Sequence, residues 1–253
     1  MPTPSEFDRL RVVLVSTRNP LNIGAVARAM SNMGFLGLRV VNPYEASFRE
    51  ARSAVGAAQL LARAEEYSSV ADAVADCSLV VGTTAAMHRE LILPLRLPAE
   101  AAPLIRKRLR SGGGVALLFG SEKRGLANDD LNHCHWLIHI PTRQEHVSMN
   151  LGQAVAVCLY ELARAVSGTR NRALGSGLKA EKIKHATAGE LERLTVTLMD
   201  ALRTSGYLGP RTIAAKEEKI RRMVRRLDLS ADDAEVWLGM LRQMLWKMKP
   251  HDR

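Results

Sequence analysis

Aromatic side chains are scarce in this chain, 4% of 253 residues. So few rings leave little for a surface that grips nucleic acid mainly by stacking bases. Cysteines are scarce too. Cys77, Cys134 and Cys158 are an odd number, far apart, with no Cys-x-x-Cys spacing. That pattern speaks against a disulfide framework and a zinc site, and it suits a reducing compartment. Cys77 and Cys158 lie in apolar runs and read as small core residues. No segment approaches the roughly 20 apolar residues of a membrane span, and no long apolar stretch marks the first residues. A soluble, cytoplasmic protein without a membrane partner is expected. Neither GxxxxGK[ST] nor a helix-opening GxGxxG occurs, which removes the P-loop and the common dinucleotide fingerprint.

Acidic residues are outnumbered, 26 against 36 lysines and arginines, for a formal charge of +10. Half of the cations, 18 against 11 acidic residues, fall in 168–253. Such a balance favours a polyanionic partner, because clustered cations neutralise phosphates and release counterions.

Between residues 10 and 160, short aliphatic runs alternate with helical patterns. Strands are expected at Leu10–Val15, Leu38–Val41, Ser78–Val81, Val115–Phe119 and Trp136–Ile140, with crossover helices at Ala46–Leu61 and Ser69–Ala75. Several strands are apolar on successive residues, as when both sheet faces are covered. The fold class predicted is α/β, a mainly parallel sheet with helices on both faces. Residues 167–186, rich in Gly, Ser and Arg, read as a flexible basic linker. Beyond it three helical stripes follow: Leu191, Leu194, Leu198 and Leu202; Ile220, Met223, Val224 and Leu227; and Val236, Met240, Met244 and Met248, the last behind a Ser230 cap. The predicted organisation is a domain at 1–166, the linker at 167–186 and a helical extension at 187–253. His133, Cys134, His135 and His139 lack a second ligand pair and overlap a strand, so no metal is expected.

Three blocks carry the chemistry. In Asn22-Ile23-Gly24-Ala25-Val26-Ala27-Arg28, the apolar residues Ile23, Val26, Met30 and Met33 share one helix face and Arg28 lies opposite. Asn19-Pro20 and Asn22 supply the turn and a candidate N-cap. Gly24 costs the helix about 1 kcal/mol relative to alanine, which points to a packing or functional reason. The second block, Phe119-Gly120-Ser121-Glu122-Lys123-Arg124-Gly125-Leu126, turns the end of a strand, the usual place for a ligand in an open α/β sheet. The third, Ser148-Met149-Asn150-Leu151, opens a small-residue helix with polar groups, Ser148 being a possible cap.

In order and spacing these blocks resemble, over roughly 8–165, the signature motifs of the SPOUT methyltransferases, in the branch that methylates the ribose 2′-hydroxyl of RNA. The linker and helical tail are similar to those of the bacterial members that act on position 32 of the tRNA anticodon loop. The resemblance implies a C-terminal trefoil knot, a homodimer with active sites at its interface, and S-adenosylmethionine as methyl donor without a metal. It puts the donor among Gly82, Thr83, Thr84, Phe119, Gly120, Glu122, Ile138, Ile140, Pro141, Ser148, Met149 and Asn150. Asn22, Arg28, Glu122 and Ser148 are the implied catalytic residues. A ribosomal RNA methyltransferase of the same superfamily, or an RNA-binding member without catalysis, are the alternatives.

The chemistry suits Arg28. A cation beside the ribose hydroxyl stabilises developing alkoxide, and its fork can hold the adjacent phosphate. A guanidinium does not give up its proton in proteins, so it is no general base. The proton is left to a phosphate oxygen, to Ser148 or to water. Arg28, Arg221, Arg222, Arg225 and Arg226 are the expected RNA contacts, the last four from a run with five cations in eight residues.

Overall fold

Successive residues of the first strand, Leu10–Val15 (β1), point to opposite faces, and both faces are buried. Leu10, Val12 and Leu14 join one core, while Val13 and Val15 join another on the far side. A side chain so buried contributes about 1.5–3 kcal/mol, and this two-sided burial is why the run is apolar without alternation. The computed structural model describes residues 6–43, 57–85, 93–143, 145, 147–167, 183–208 and 213–248.

The remaining strands are Gly37–Val41 (β2), Glu65–Tyr67 (β3), Cys77–Thr84 (β4), Leu95–Arg96 (β5), Gly114–Phe119 (β6) and Trp136–His139 (β7). All pair in parallel, in the order β3-β2-β1-β6-β4-β7-β5. All five predicted strands form, within a few residues at their ends. The two not predicted are the outermost: β3 is a polar Glu-Glu-Tyr run and β5 has two residues.

Helix Pro20–Asn32 (α1) is capped by the Asn19 side chain, which accepts from Leu21 N at 3.0 Å, with Pro20 at the first helical position. Of the helix expected at Ala46–Leu61, residues 46–56 lie outside the described residues; Ala58–Ala62 (α2) is helical. Ser69 caps a short Val70–Ala73 helix (α3), accepting from Asp72 N at 3.1 Å. Pro98–Arg110 (α4) was not anticipated; Ala101, Ala102, Ile105 and Leu109 bury its inner face. Asn128–Leu131 (α5) precedes β7, and Leu151–Ser167 (α6) packs on α1. A Cβ at Gly152 of α6 would lie 2.6 Å from Ala25 Cβ, so only glycine permits this approach.

In the tail, Thr187 and Glu190 form a reciprocal cap on Ala188–Thr204 (α7), followed by Ile213–Arg226 (α8) and Ala231–Met248 (α9). Ser230 caps the last, as expected, accepting from Asp233 N at 3.0 Å. Residues 168–182 of the predicted linker lie outside the described residues. Its end is already part of the bundle: Ala186 is buried and donates to Leu229 O. The bundle docks on the sheet, with Gly189 N donating to Ala75 O at 3.0 Å and Arg108 paired to Asp228 at 2.7 Å.

Two predicted stripes are corrected. Val236, Met240, Met244 and Met248 are exposed, while Ala234, Leu241 and Leu245 face the core. Met223 and Leu227 of α8 are exposed as well; Ile220 and Val224 are buried. Helix α9 has two adjacent apolar stripes, and the one carrying leucine and small alanine packs against α7.

Candidate active site

Because β4, β6 and β7 are parallel neighbours, their C-terminal ends share one edge of the sheet. A cavity of about 450 Å³ opens there, a volume typical of small-molecule sites. Phe119, Ile138 and Ile140 give it an apolar floor, and Thr83, Thr84 and Ser148 bring hydroxyls to it. The Thr83 hydroxyl is itself anchored on Leu118 O at 2.9 Å.

The loop after β6 closes on itself. Gly125 takes a positive φ of 65° and donates to Ser121 O at 2.8 Å. A Cβ on Gly120 would fall 2.0 Å from the Gly125 carbonyl carbon, so the turn admits no side chain there. The fold thereby carries Glu122 to the rim, facing the start of α1.

A hydrogen-bond chain then joins all three sequence blocks. Glu122 Oε1 accepts from Asn22 Nδ2 at 2.9 Å and from Asn19 N at 3.3 Å. Asn22 Oδ1 accepts from Asn150 Nδ2 at 2.8 Å. Asn150 Oδ1 accepts from Gly152 N at 2.9 Å and Gln153 N at 3.4 Å, which caps α6. The cap is thus Asn150 and not Ser148. Partial burial works to raise the Glu122 pKa, but the Asn22 amide and the backbone N–H groups of Glu122, Asn19 and Arg18 outweigh it, holding the carboxyl below its ordinary range. Glu122 is therefore an oriented carboxylate at neutral pH.

Asn22, Thr83, Thr84, Phe119, Gly120, Glu122, Ile138, Ile140, Ser148, Met149 and Asn150 all line the cavity. Gly82 and Pro141 are not in its wall. A Cβ on Gly82 would lie 2.8 Å from Leu137 Cδ2 and 2.9 Å from Cys134 Sγ, so this glycine lets β4 pack closely beneath the floor. Arg28 is exposed on the outer side of α1 and is outside the lining of this cavity. Leu126, the last residue of the second block, and Leu131 also line the cavity, and neither is among the residues expected at the donor; an apolar residue just after Gly125 in a charged loop is the available signal.

The four tail arginines divide. Arg225 is 3% exposed, donates to Asn132 O at 2.9 Å and pairs with Glu192, so it offers no surface to RNA. This corrects its expected role. Arg221 pairs with Glu192 and Glu217, and Arg222 with Glu218 and Asn132. Arg226 is exposed. The histidines have structural uses: His135 Nδ1 accepts from Val80 N at 3.1 Å, and His133 meets Arg225. Burial pushes the thiols of Cys77, Cys134 and Cys158 up to about 12.

Comparison with known proteins places the chain in a family. Residues 9–160 match the SpoU rRNA Methylase family. The chain is 36% identical over 244 residues to the tRNA (cytidine/uridine/adenosine-2′-O-)-methyltransferase TrmJ of Pseudomonas aeruginosa, covering 93% of each. It is 34% identical to the tRNA (cytidine/uridine-2′-O-)-methyltransferase TrmJ of Klebsiella pneumoniae, covering 93% of this chain and 96% of the relative. Among solved structures, TrmJ from Z. mobilis ZM4 superposes with a TM-score of 0.76 at 30% identity, over 92% of this chain and 98% of that one.

Proposed function

The chain belongs to the SpoU rRNA methylase family, and on that premise we propose that it methylates the ribose 2′-hydroxyl of a tRNA nucleotide with S-adenosylmethionine, at position 32 of the anticodon loop. The observation that carries this reading is the convergence of three distant sequence blocks on one cavity through Glu122, Asn22 and Asn150. A tRNA substrate, rather than the ribosomal RNA of the family's description, is supported by relatives named for tRNA that match through the tail.

The residues present fit the donor. An apolar floor of Phe119, Ile138 and Ile140 beside the hydroxyls of Thr84 and Ser148 suits a nucleoside with a sulfonium-bearing amino-acid arm, in a cavity of matching size. The donor supplies an electrophilic methyl on a sulfonium, whose positive charge is lost as the carbon–sulfur bond breaks and the carbon–oxygen bond forms. Glu122, kept ionised by Asn22 and Asn19, sets a negative charge at the rim that complements a cationic ligand. Ser148 is free of capping duty, since Asn150 caps α6, and its hydroxyl is left for the substrate side. The ribose oxygen gives its proton to a phosphate oxygen, to Ser148 or to water as it attacks, and Arg28 holds the charge that develops there.

Arg28 acts in this reading from a second copy. On α1, Leu21, Ala25 and Arg28 follow helical spacing along one side, and Leu21 is 80% exposed; Tyr160 on the neighbouring α6 is 54% exposed. An apolar outer surface of this kind suits a symmetric partner. The reading extends to a knotted 1–166 catalytic domain, a linker and a helical extension that binds tRNA, with Arg226 at its exposed surface and the whole in the cytoplasm. Tritium transfer from S-adenosylmethionine to total tRNA, followed by nucleotide mapping, tests it. Label at the 2′-oxygen of position 32 is expected; label mapped to other positions only, or none, overturns it.

A further inference from the structure

Helix α5, Asn128–Leu131, is one turn long and cannot persist on its own hydrogen bonds. It nevertheless forms a wall of the cavity: Leu126, just before it, and Leu131, its last residue, both line the space, and both are buried. What holds the end of this turn comes from the tail. Arg225 of α8 donates from Nε to Asn132 O at 2.9 Å and from Nη2 to His133 Nδ1 at 3.3 Å. Arg222, one turn earlier, donates from Nη1 to Asn132 Oδ1 at 3.2 Å. Glu192 of α7 accepts from Arg225 Nη2 at 3.3 Å and also pairs with Arg221, which fixes the guanidinium from behind. Burial first, then the Arg225 charge, push the His133 imidazole down to about 4, so it is neutral and its Nδ1 can accept. A cation on the terminal carbonyl of a helical turn is a favourable cap.

We propose that Arg225 is a positioning residue for the donor site: from the tail it clamps Asn132 and His133 and so fixes the Leu126–Leu131 wall against which the donor packs. The tail is then a structural part of the donor cavity, in addition to any contact it makes with RNA. Its buried arginines and its exposed ones have separate duties. This rests on the cavity being the S-adenosylmethionine site.

The test is titration calorimetry of the full-length protein with S-adenosylmethionine alone, beside steady-state methyl transfer to tRNA. The unaltered protein sets the reference: if it does not bind the donor, the functional reading fails before this inference is reached. Arg225→Ala is expected to raise the donor Kd on the order of tenfold, the effect of losing one buried charged hydrogen-bond donor. The donor KM should rise in step while kcat and the tRNA KM stay near their original values, a split that general loosening of the fold would not give. Arg225→Lys, which keeps a cation for Asn132 O, should recover part of the affinity. Arg242→Ala removes an exposed cation from α9 and should leave the donor Kd unchanged. An Arg225→Ala protein that is folded and binds the donor as tightly as the original overturns the proposal. If that variant does not fold, Arg222→Ala, which removes only the contact with Asn132 Oδ1 and the Glu218 pair, decides in the same way: weaker donor binding supports the clamp, unchanged binding rejects it.

Discussion

Asn22 and Asn150 stand 128 positions apart in the chain, yet their side-chain amides meet at 2.8 Å. Asn22 passes the link on to Glu122, and Asn150 passes it to the first turn of α6. Each amide uses both its donor and its acceptor, so the chain has a direction and no redundant member. Asn22→Ala removes two hydrogen bonds at once and takes from Glu122 its strongest side-chain donor. With the bond to the Glu122 carboxylate worth about 1.5–3 kcal/mol, kcat/KM for methyl transfer should fall roughly ten- to a hundredfold. A value within twofold of the original would show that the network is incidental.

Gly152 predicts an outcome against helix propensity. Alanine in a helix is ordinarily the more stable residue by roughly 0.5–1 kcal/mol. Here its Cβ would sit 2.6 Å from Ala25 Cβ and push α6 away from α1. Gly152→Ala should therefore destabilise the fold by about 1–3 kcal/mol in urea unfolding. A gain in stability would mean that the two helices have room to separate.

Gly120→Ala tests the turn itself. The added carbon would lie 2.0 Å from the Gly125 carbonyl carbon and 2.2 Å from Leu126 N, atoms of the backbone that cannot swing aside. The loop must reopen, and Glu122 and Leu126 move with it. Loss of donor binding by calorimetry is expected, with a smaller change in the urea midpoint because the clash is at the rim of the sheet. Donor binding that survives intact would place the donor elsewhere.

How far the sequence alone reveals this arrangement depends on what each residue faces. The central strands were legible because both sides of β1, β4 and β6 are buried, so apolar runs had one meaning. The cavity was legible where it uses glycine, asparagine and hydroxyls, residue types that a plain core does not favour. It was not legible at Leu126 and Leu131, since a leucine looks alike in sequence whether it faces the core or a ligand. Arg225 and Arg226 are the sharpest case: neighbours of the same type, one buried and one exposed, separated only by the 100° turn of a helix. In α9 the methionine stripe and the leucine stripe were equally regular, and the choice between them belonged to α7.

Acid should weaken the fold before carboxylates titrate. Burial, then the charge of Arg225, push His133 down to about 4 and His135 to about 3. His135 Nδ1 accepts from Val80 N and must be unprotonated to do so. In the unfolded chain both take up protons near the ordinary imidazole value of 6.5. Between that value and their folded pKa values the unfolded state binds more protons, so stability is complete above pH 6.5 and declines as pH falls toward 4 and then 3. Urea midpoints measured from pH 7.5 to 4.5 should hold to about pH 6.5 and then drop, and His135→Asn should flatten the dependence. A midpoint constant over that range would contradict neutral, buried imidazoles.

The central proposal is that Arg28, which is exposed and outside the cavity of its own chain, completes the site of a second copy. Coexpressing an Arg28→Ala chain with a Gly120→Ala chain tests it most directly, each variant being inactive alone. Random pairing makes half of the dimers hybrid, each with one intact pocket facing one intact arginine, so methyl transfer should return to about a quarter of the original rate. Hybrid dimers that form and remain inactive would mean that the arginine does not serve a neighbouring pocket, and the account would fail.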